Sequence, residues 1–143
     1  MTDVLNTNVL GPMLCSRELI RRQSIKNGGQ GGAIVNISSG AAYQCSPTTP
    51  LYSVSKGAVN SLNHALAGGL NFEDHGIRAN AVSPGLTNTD MVANVDFSRI
   101  TSTLPARRVG DPQEIANTVV FLLDDELSSY THGANIRVAG GRL

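Results

Sequence analysis

A chain of 143 residues with 41% hydrophobic and 15% charged side chains has the size and composition of one domain with its own core, and is too short for two. Eleven Lys and Arg balance eleven Asp and Glu, which leaves no basic field for nucleic acid and no polybasic stretch for a membrane surface. The only local concentrations, Arg21-Arg22 and Arg107-Arg108, read as solvated or structural.

The opening residues, MTDVLNTN, lack the basic and apolar regions of a secretory leader, and a reducing, cytoplasmic setting is expected. From about Val4 to Arg22, apolar residues recur at helical spacing (Val9, Met13, Leu14, Leu19, Ile20) and predict a helix. Asn27-Gly-Gly-Gln-Gly-Gly32 breaks it. A phosphate-binding loop follows a strand and opens a helix, whose N-terminus supplies amides and dipole. Here a helix precedes and a strand follows, so the run is a connecting turn. Ala33-Ile-Val-Asn-Ile-Ser38 reads as a short strand apolar enough for a buried parallel sheet. A polar, proline-bearing loop leads to Pro50.

From Leu51 to about Phe72 a second helix is expected, with Leu51, Val54, Ala58, Leu62, Ala65 and Leu70 as one apolar face and Gly76 as its stop. Its first turns hold Tyr52 and Lys56, four residues apart and so on one face. A phenol near its ordinary pKa of about 10 is a poor proton donor or acceptor at neutral pH, and a neighbouring ammonium lowers that value. On spacing alone the pair is either a tuned acid/base or an ordinary surface contact. Ile77-Arg-Ala-Asn-Ala-Val82 is a second strand, closed by Ser83-Pro84-Gly85. Asp111-Pro-Gln-Glu114 is a capping box with proline at the first helical position, opening a helix through Ile115, Val119, Val120, Leu122 and Leu123. Asn135-Ile-Arg-Val138 is a third strand. Cys15 and Cys45 suggest no disulfide framework, and His64, His75 and His132 have no second ligand type at metal-binding spacing, so no metal is assigned. No apolar run approaches the ~18 residues of a membrane span.

Helices and strands alternate, as in a parallel sheet covered by helices. Ligands of such sheets bind beyond the C-terminal ends of the strands. Ser38-Ser39-Gly40 leaves the first strand there, Ser83-Pro84-Gly85 leaves the second, and Tyr52 and Lys56 open the helix between them.

These motifs, taken together, resemble the C-terminal half of a classical short-chain dehydrogenase/reductase. Asn8-Val-Leu-Gly11 resembles that family's asparagine motif, Ala33 to Ser39 its serine-bearing strand, and Tyr52 with Lys56 its YxxxK signature. Ser39 stands thirteen residues before Tyr52, the family's usual interval, whereas Ser38 stands fourteen before it. Asn80-Ala-Val-Ser-Pro-Gly85 with Thr89 resembles the nicotinamide-side segment. Val109 to Ala116 and Val138-Ala-Gly-Gly141 resemble the tail.

The resemblance implies an α/β fold over residues 1–143: the C-terminal portion of a Rossmann-type doubly wound parallel sheet, with the N-terminal βαβ units missing. It implies an oxidoreductase that interconverts an alcohol and a carbonyl using NAD or NADP. Tyr52 would exchange a proton with the substrate oxygen, and Lys56 would tune Tyr52 and hold the nicotinamide ribose. Ser39 would bond the substrate oxygen, and Asn8 would kink its helix and position a water. Pro84, Gly85, Thr87 and Thr89 would border the nicotinamide. A small-molecule substrate and, in the full-length form, a homo-oligomer are implied as partners.

The sequence departs from the family in three places. Gly68 and Gly69 fall inside the expected central helix, each costing about 1 kcal/mol relative to alanine. Ala139 stands where many members carry aspartate. No glycine-rich TGxxxGxG turn precedes Asn8, so a fragment, a truncated gene model and a diverged product all stay open. This chain alone is therefore expected to be inactive and prone to associate. Two other readings are a noncatalytic remnant that acts through association, and an epimerase or dehydratase of the extended branch, which shares YxxxK but carries a larger C-terminal domain.

Overall fold

The first helical run changes pitch where the sequence puts a proline behind an asparagine. The computed structural model describes residues 2–92 and 96–142. In it α1 (Thr2–Leu5) passes through a π-helical turn (Asn6–Leu10) into α2 (Gly11–Gln23). Pro12 has no N–H to give the carbonyl of Asn8, four residues back, and the Gly11 N–H bonds instead to the Asn6 carbonyl. Single π turns of this kind widen a helix locally and frequently mark functional positions.

Three strands follow: β1 (Gly32–Ile37), β2 (Ile77–Pro84) and β3 (Asn135–Val138), parallel and in the order β1-β2-β3. Gly32 pairs with Ile77 and Ile37 with Val82 on one side of β2, and Ala81 pairs with Asn135 on the other. The helix α3 (Pro50–Gly69) crosses from β1 to β2; α4 (Phe97–Thr101), α5 (Pro112–Leu123) and α6 (Asp125–Ser128) lie between β2 and β3. The alternation read from the sequence is observed, with α4 and α6 as short additions that its pattern did not reveal. Among the described residues no helix is long and apolar enough to cross a membrane.

Strand parity assigns the layers. Ile34, Ile77 and Ala79 face α2 and α3, where Leu19, Ile20, Leu66 and Leu70 pack on them. Arg78, of opposite parity, faces α5 and α6. It is 4% exposed and donates to the Leu122 carbonyl, Ser128 Oγ and the carboxylate of Asp125. Fastening β2 to α5 and α6 fixes the sheet under the loops that leave its C-terminal end.

The structure corrects two expectations about α3. It ends at Gly69 rather than near Phe72, so Gly68 and Gly69 are its last residues and not interior ones. Gly76 instead turns the chain into β2 at φ 61°, where a Cβ would stand 2.5 Å from Ile25 Cδ1. The buried face of α3 is also not wholly the apolar one. Ser53, Ser55, Val59 and Asn63 are buried, whereas Val54 is 65% exposed and Ala65 is on the surface. The expected face is only partly inward, and polar residues share the inside because Ser55 bonds a carbonyl of its own helix and Asn63 one on a neighbouring segment. Ser38 Oγ donates to the Lys56 carbonyl at 3.0 Å, Ser55 Oγ to the Tyr52 carbonyl at 2.7 Å, and Asn63 Nδ2 to the Ala134 carbonyl at 3.1 Å.

The capping box of α5 forms as expected, with Asp111 accepting from the Gln113 N–H and Glu114 accepting from the Asp111 N–H. Glu114 also takes a two-pronged contact from Arg108, and together these hold its carboxyl at about 2. Glu18 is held at about 2 by Arg21 and Arg22. In both basic pairs, then, arginine serves a neighbouring carboxylate.

Candidate active site

Pro50 occupies the first turn of α3, where its missing N–H costs nothing, and the next residues bring Tyr52 and Lys56 round to one side. The Lys56 ammonium lies 5.7 Å from the centroid of the Tyr52 ring. It donates to the carbonyl of Ile37, the last residue of β1, at 2.9 Å. Half-buried in this position, Lys56 has its pKa lowered from the ordinary lysine value by desolvation.

The two serines after β1 divide the work. Ser38 is buried and spends its hydroxyl on the Lys56 carbonyl. Ser39, at extended φ, turns outward and accepts from the Ala41 N–H at 3.1 Å, capping a short 3₁₀ turn (Gly40–Ala42). Its hydroxyl hydrogen remains free to donate.

Beyond the C-terminal ends of the strands lies a cavity of about 710 Å³ whose wall includes Ser39, Tyr52, Lys56, Pro84, Gly85, Thr87 and Thr89. Seven of the eight site residues read from the sequence are thus brought together. Gly85 is needed for close approach: a Cβ there would lie 2.7 Å from Ala139 Cα. Its N–H bonds to the Val138 carbonyl, and its own carbonyl accepts from Thr87 Oγ1 at 3.1 Å.

Asn8 is the exception and does not line the cavity. It stands behind α3, where Nδ2 donates to Ser55 Oγ at 3.1 Å, and Ser55 in turn bonds the Tyr52 carbonyl. The chain of contacts runs from the π turn to the backbone of Tyr52.

The cavity also takes in residues that the motifs did not single out. Gln44 and Ser46 come from the loop between β1 and α3, Arg137 from β3, and Ala139 and Arg142 from the segment after it. Arg137 and Arg142 belong to no spacing pattern that would mark them. Among the described residues no group of three His, Cys, Asp or Glu side chains is placed to hold a metal ion.

A family model described as Enoyl-(Acyl carrier protein) reductase matches residues 1–142. An oxidoreductase of Escherichia coli (strain K12), YgfF, is 44% identical over 97% of this chain and 57% of its own length. The chain belongs to the short-chain dehydrogenase/reductase family. Among solved structures of that fold, acetoin dehydrogenase from Enterobacter cloacae superimposes with a TM-score of 0.83 at 32% identity, covering 99% of this chain and 54% of that one. A 4-hydroxyisoleucine dehydrogenase complexed with NADH gives a TM-score of 0.81 at 30% identity, over 94% and 56%. The chain spans about half the length of the relatives it matches, and its sheet is the corresponding portion of their Rossmann-type fold.

Proposed function

We propose that this segment carries the proton-transfer half of an oxidoreductase that interconverts an alcohol and a carbonyl with NAD or NADP. The observation that supports it is the opening of Tyr52, Lys56 and Ser39 onto one cavity with the Pro84–Thr89 segment. The residues present suit the nicotinamide end of a dinucleotide. Lys56 commits one donor to Ile37 and keeps two for ribose hydroxyls, while Gly85 lets the second strand's exit pack closely on Ala139, which places Pro84 and Thr87 on the cavity wall. The glycine run Asn27–Gly32 enters β1 at the end opposite the cavity and takes no part.

When bound, the nicotinamide gives or takes the hydride. Tyr52 Oη gives a proton to the carbonyl oxygen during reduction and takes it back during oxidation. Lys56 places a positive charge beside the phenolate that forms. The Ser39 hydroxyl donates to the same substrate oxygen and stabilises its developing charge. Asn8 holds α3 through Ser55, the bond that links the first helical run to the catalytic helix.

The test is a chimera in which this segment replaces the corresponding one of the Escherichia coli relative. Tyr52→Phe should reduce kcat at least a hundredfold and leave NADH and NADPH affinity within about threefold. Retention of more than a few per cent of kcat would remove Tyr52 from the acid/base role. A second reading, a noncatalytic chain acting by association, is favoured by the outward apolar face at Val54 and by the open edge of β1. It predicts complex formation with a full-length relative and a chimera without turnover.

A further inference from the structure

The cavity carries a charge that the chain as a whole does not. Its wall includes Lys56, Arg137 and Arg142 and no Asp or Glu among the described residues, in a chain whose formal net charge is zero. A cleft lined by one sign of charge concentrates the opposite charge within it. None of the three basic residues has a carboxylate partner among the described residues, whereas Arg78, Arg108, Arg21 and Arg22 each have one; Lys56 is committed to the Ile37 carbonyl.

Their supports are neutral and leave the binding edges free. The guanidinium of Arg137 lies over the Tyr43 ring at 4.5 Å, a stacking contact that leaves its in-plane N–H groups available. Arg142 uses Nε on the Gln44 side-chain oxygen at 3.0 Å and keeps its two terminal nitrogens. Parity puts Arg137 on the same face of β3 as Asn135, whose amide reaches α3 through Asn60. With Arg137 on Tyr43 and Arg142 on Gln44, both arginines stand against the loop between β1 and α3. Ala139, between them in sequence, adds no charge of its own.

We propose that Arg137 and Arg142 are specificity residues for a substrate bearing a carboxylate, an oxo or hydroxy acid whose reacting oxygen meets Tyr52 and Ser39. This rests on the alcohol/carbonyl reading above and names its substrate class. Planar guanidinium forks match a carboxylate in two parallel hydrogen bonds, and the apolar wall of Ile37, Leu86 and Val92 suits the rest of a short carbon chain.

Calorimetric titration of the 143-residue chain and of the chimera with acetoacetate, its neutral ethyl ester and inorganic pyrophosphate tests the proposal. Acetoacetate should bind at least tenfold more tightly than the ester. Arg137→Gln with Arg142→Gln should erase that preference, Arg142→Lys, which keeps the charge and loses the fork, should keep only part of it, and Tyr52→Phe should leave it intact. The single variants Arg137→Gln and Arg142→Gln should each weaken it and serve if the double variant does not fold. Equal binding of acid and ester, or a preference that survives the double variant, overturns the proposal. So does pyrophosphate binding tighter than acetoacetate and lost in the double variant, which would assign the arginines to cofactor phosphates. Loss of the acid/base role shows separately, as turnover that survives Tyr52→Phe in the chimera.

Discussion

Replacing Lys56 by methionine separates what this residue does for the fold from what it does for the reaction. Methionine keeps the apolar stem and removes the charge, and with it the 2.9 Å hydrogen bond to the Ile37 carbonyl. A charge-assisted bond of this kind contributes about 1.5–3 kcal/mol when its partner is left dry. Ile37 is an exposed residue at the edge of the sheet, so water takes over its carbonyl. Desolvation, which lowers the Lys56 pKa, already opposes the charge. Stability should therefore fall by no more than about 1 kcal/mol, a Tm change of about 3–5 °C by differential scanning fluorimetry. Turnover of the chimera should fall at least a hundredfold, about 2.7 kcal/mol in transition-state stabilisation. The pH dependence adds a second signature. Because the folded pKa of Lys56 lies below the unfolded value near 10.5, the unfolded chain binds more protons in the window just beneath that value. Across it, wild-type stability should gain as pH rises while kcat declines with the loss of the ammonium. Lys56→Met should lack both trends. A Tm loss above about 10 °C, or a kcat within tenfold of wild type, would refute the division of roles.

Four further substitutions probe the surroundings. Ser39→Ala should lower kcat of the chimera at least tenfold, with little change in stability. Ser38→Ala, which leaves the Lys56 carbonyl without its buried donor, should instead cost about 1–2 kcal/mol in a melt, and the opposite ranking would show that the serines were exchanged. Asn8→Ala should lower kcat by severalfold through Ser55 and Tyr52; an alkaline pH profile that moves with it supports positioning, and an unchanged kcat sinks it. Arg78→Leu strands the Leu122 carbonyl and Ser128 Oγ and should lower stability by about 3 kcal/mol in denaturant titration, with less than about 1 kcal/mol contradicting its fastening role.

The strands were legible because each is a short segment with Ile, Val or Ala at alternate or adjacent positions, set off by a nearby glycine or proline, and central β2 is buried from Ile77 to Ser83. The start of α5 was legible because a capping box is local chemistry, satisfied within four residues. Tyr52, Lys56 and the strand exits Ser38-Ser39-Gly40 and Ser83-Pro84-Gly85 were legible because a parallel sheet gathers its strand exits at one rim, while the choice of Ser39 over Ser38 and the addition of Thr87 and Thr89 came from the family resemblance. The π turn escaped notice, since it depends on a missing donor at Pro12 and not on any hydrophobic period. The inward face of α3 was only partly assigned for a related reason: periodicity gives the angle between faces, and only tertiary partners say which face is inside. Arg137 and Arg142 were invisible as site residues because their neighbours, Tyr43 and Gln44, lie far away in sequence.

The polar inner face of α3 explains how a site of this kind is held still. An apolar helix face can slide or rotate over a sheet at small cost, since dispersion contacts are not directional. Hydrogen bonds are directional, and a buried donor or acceptor that loses its partner costs about 1–3 kcal/mol. Along α3 such bonds to other segments occur at intervals: Asn8 to Ser55, Ser38 to the Lys56 carbonyl, and Asn63 to the Ala134 carbonyl. At its far end His132 bonds the Ala67 carbonyl through Nε2 and accepts from the Ala79 N–H at Nδ1, which ties the helix to β2. A rotation of α3 would strain these together. They act on the Lys56 carbonyl and on Ser55, one turn from Tyr52, so they fix where both side chains begin without consuming the hydroxyl or the ammonium. Fixing the backbone and sparing the reacting groups is what a proton-transfer pair requires.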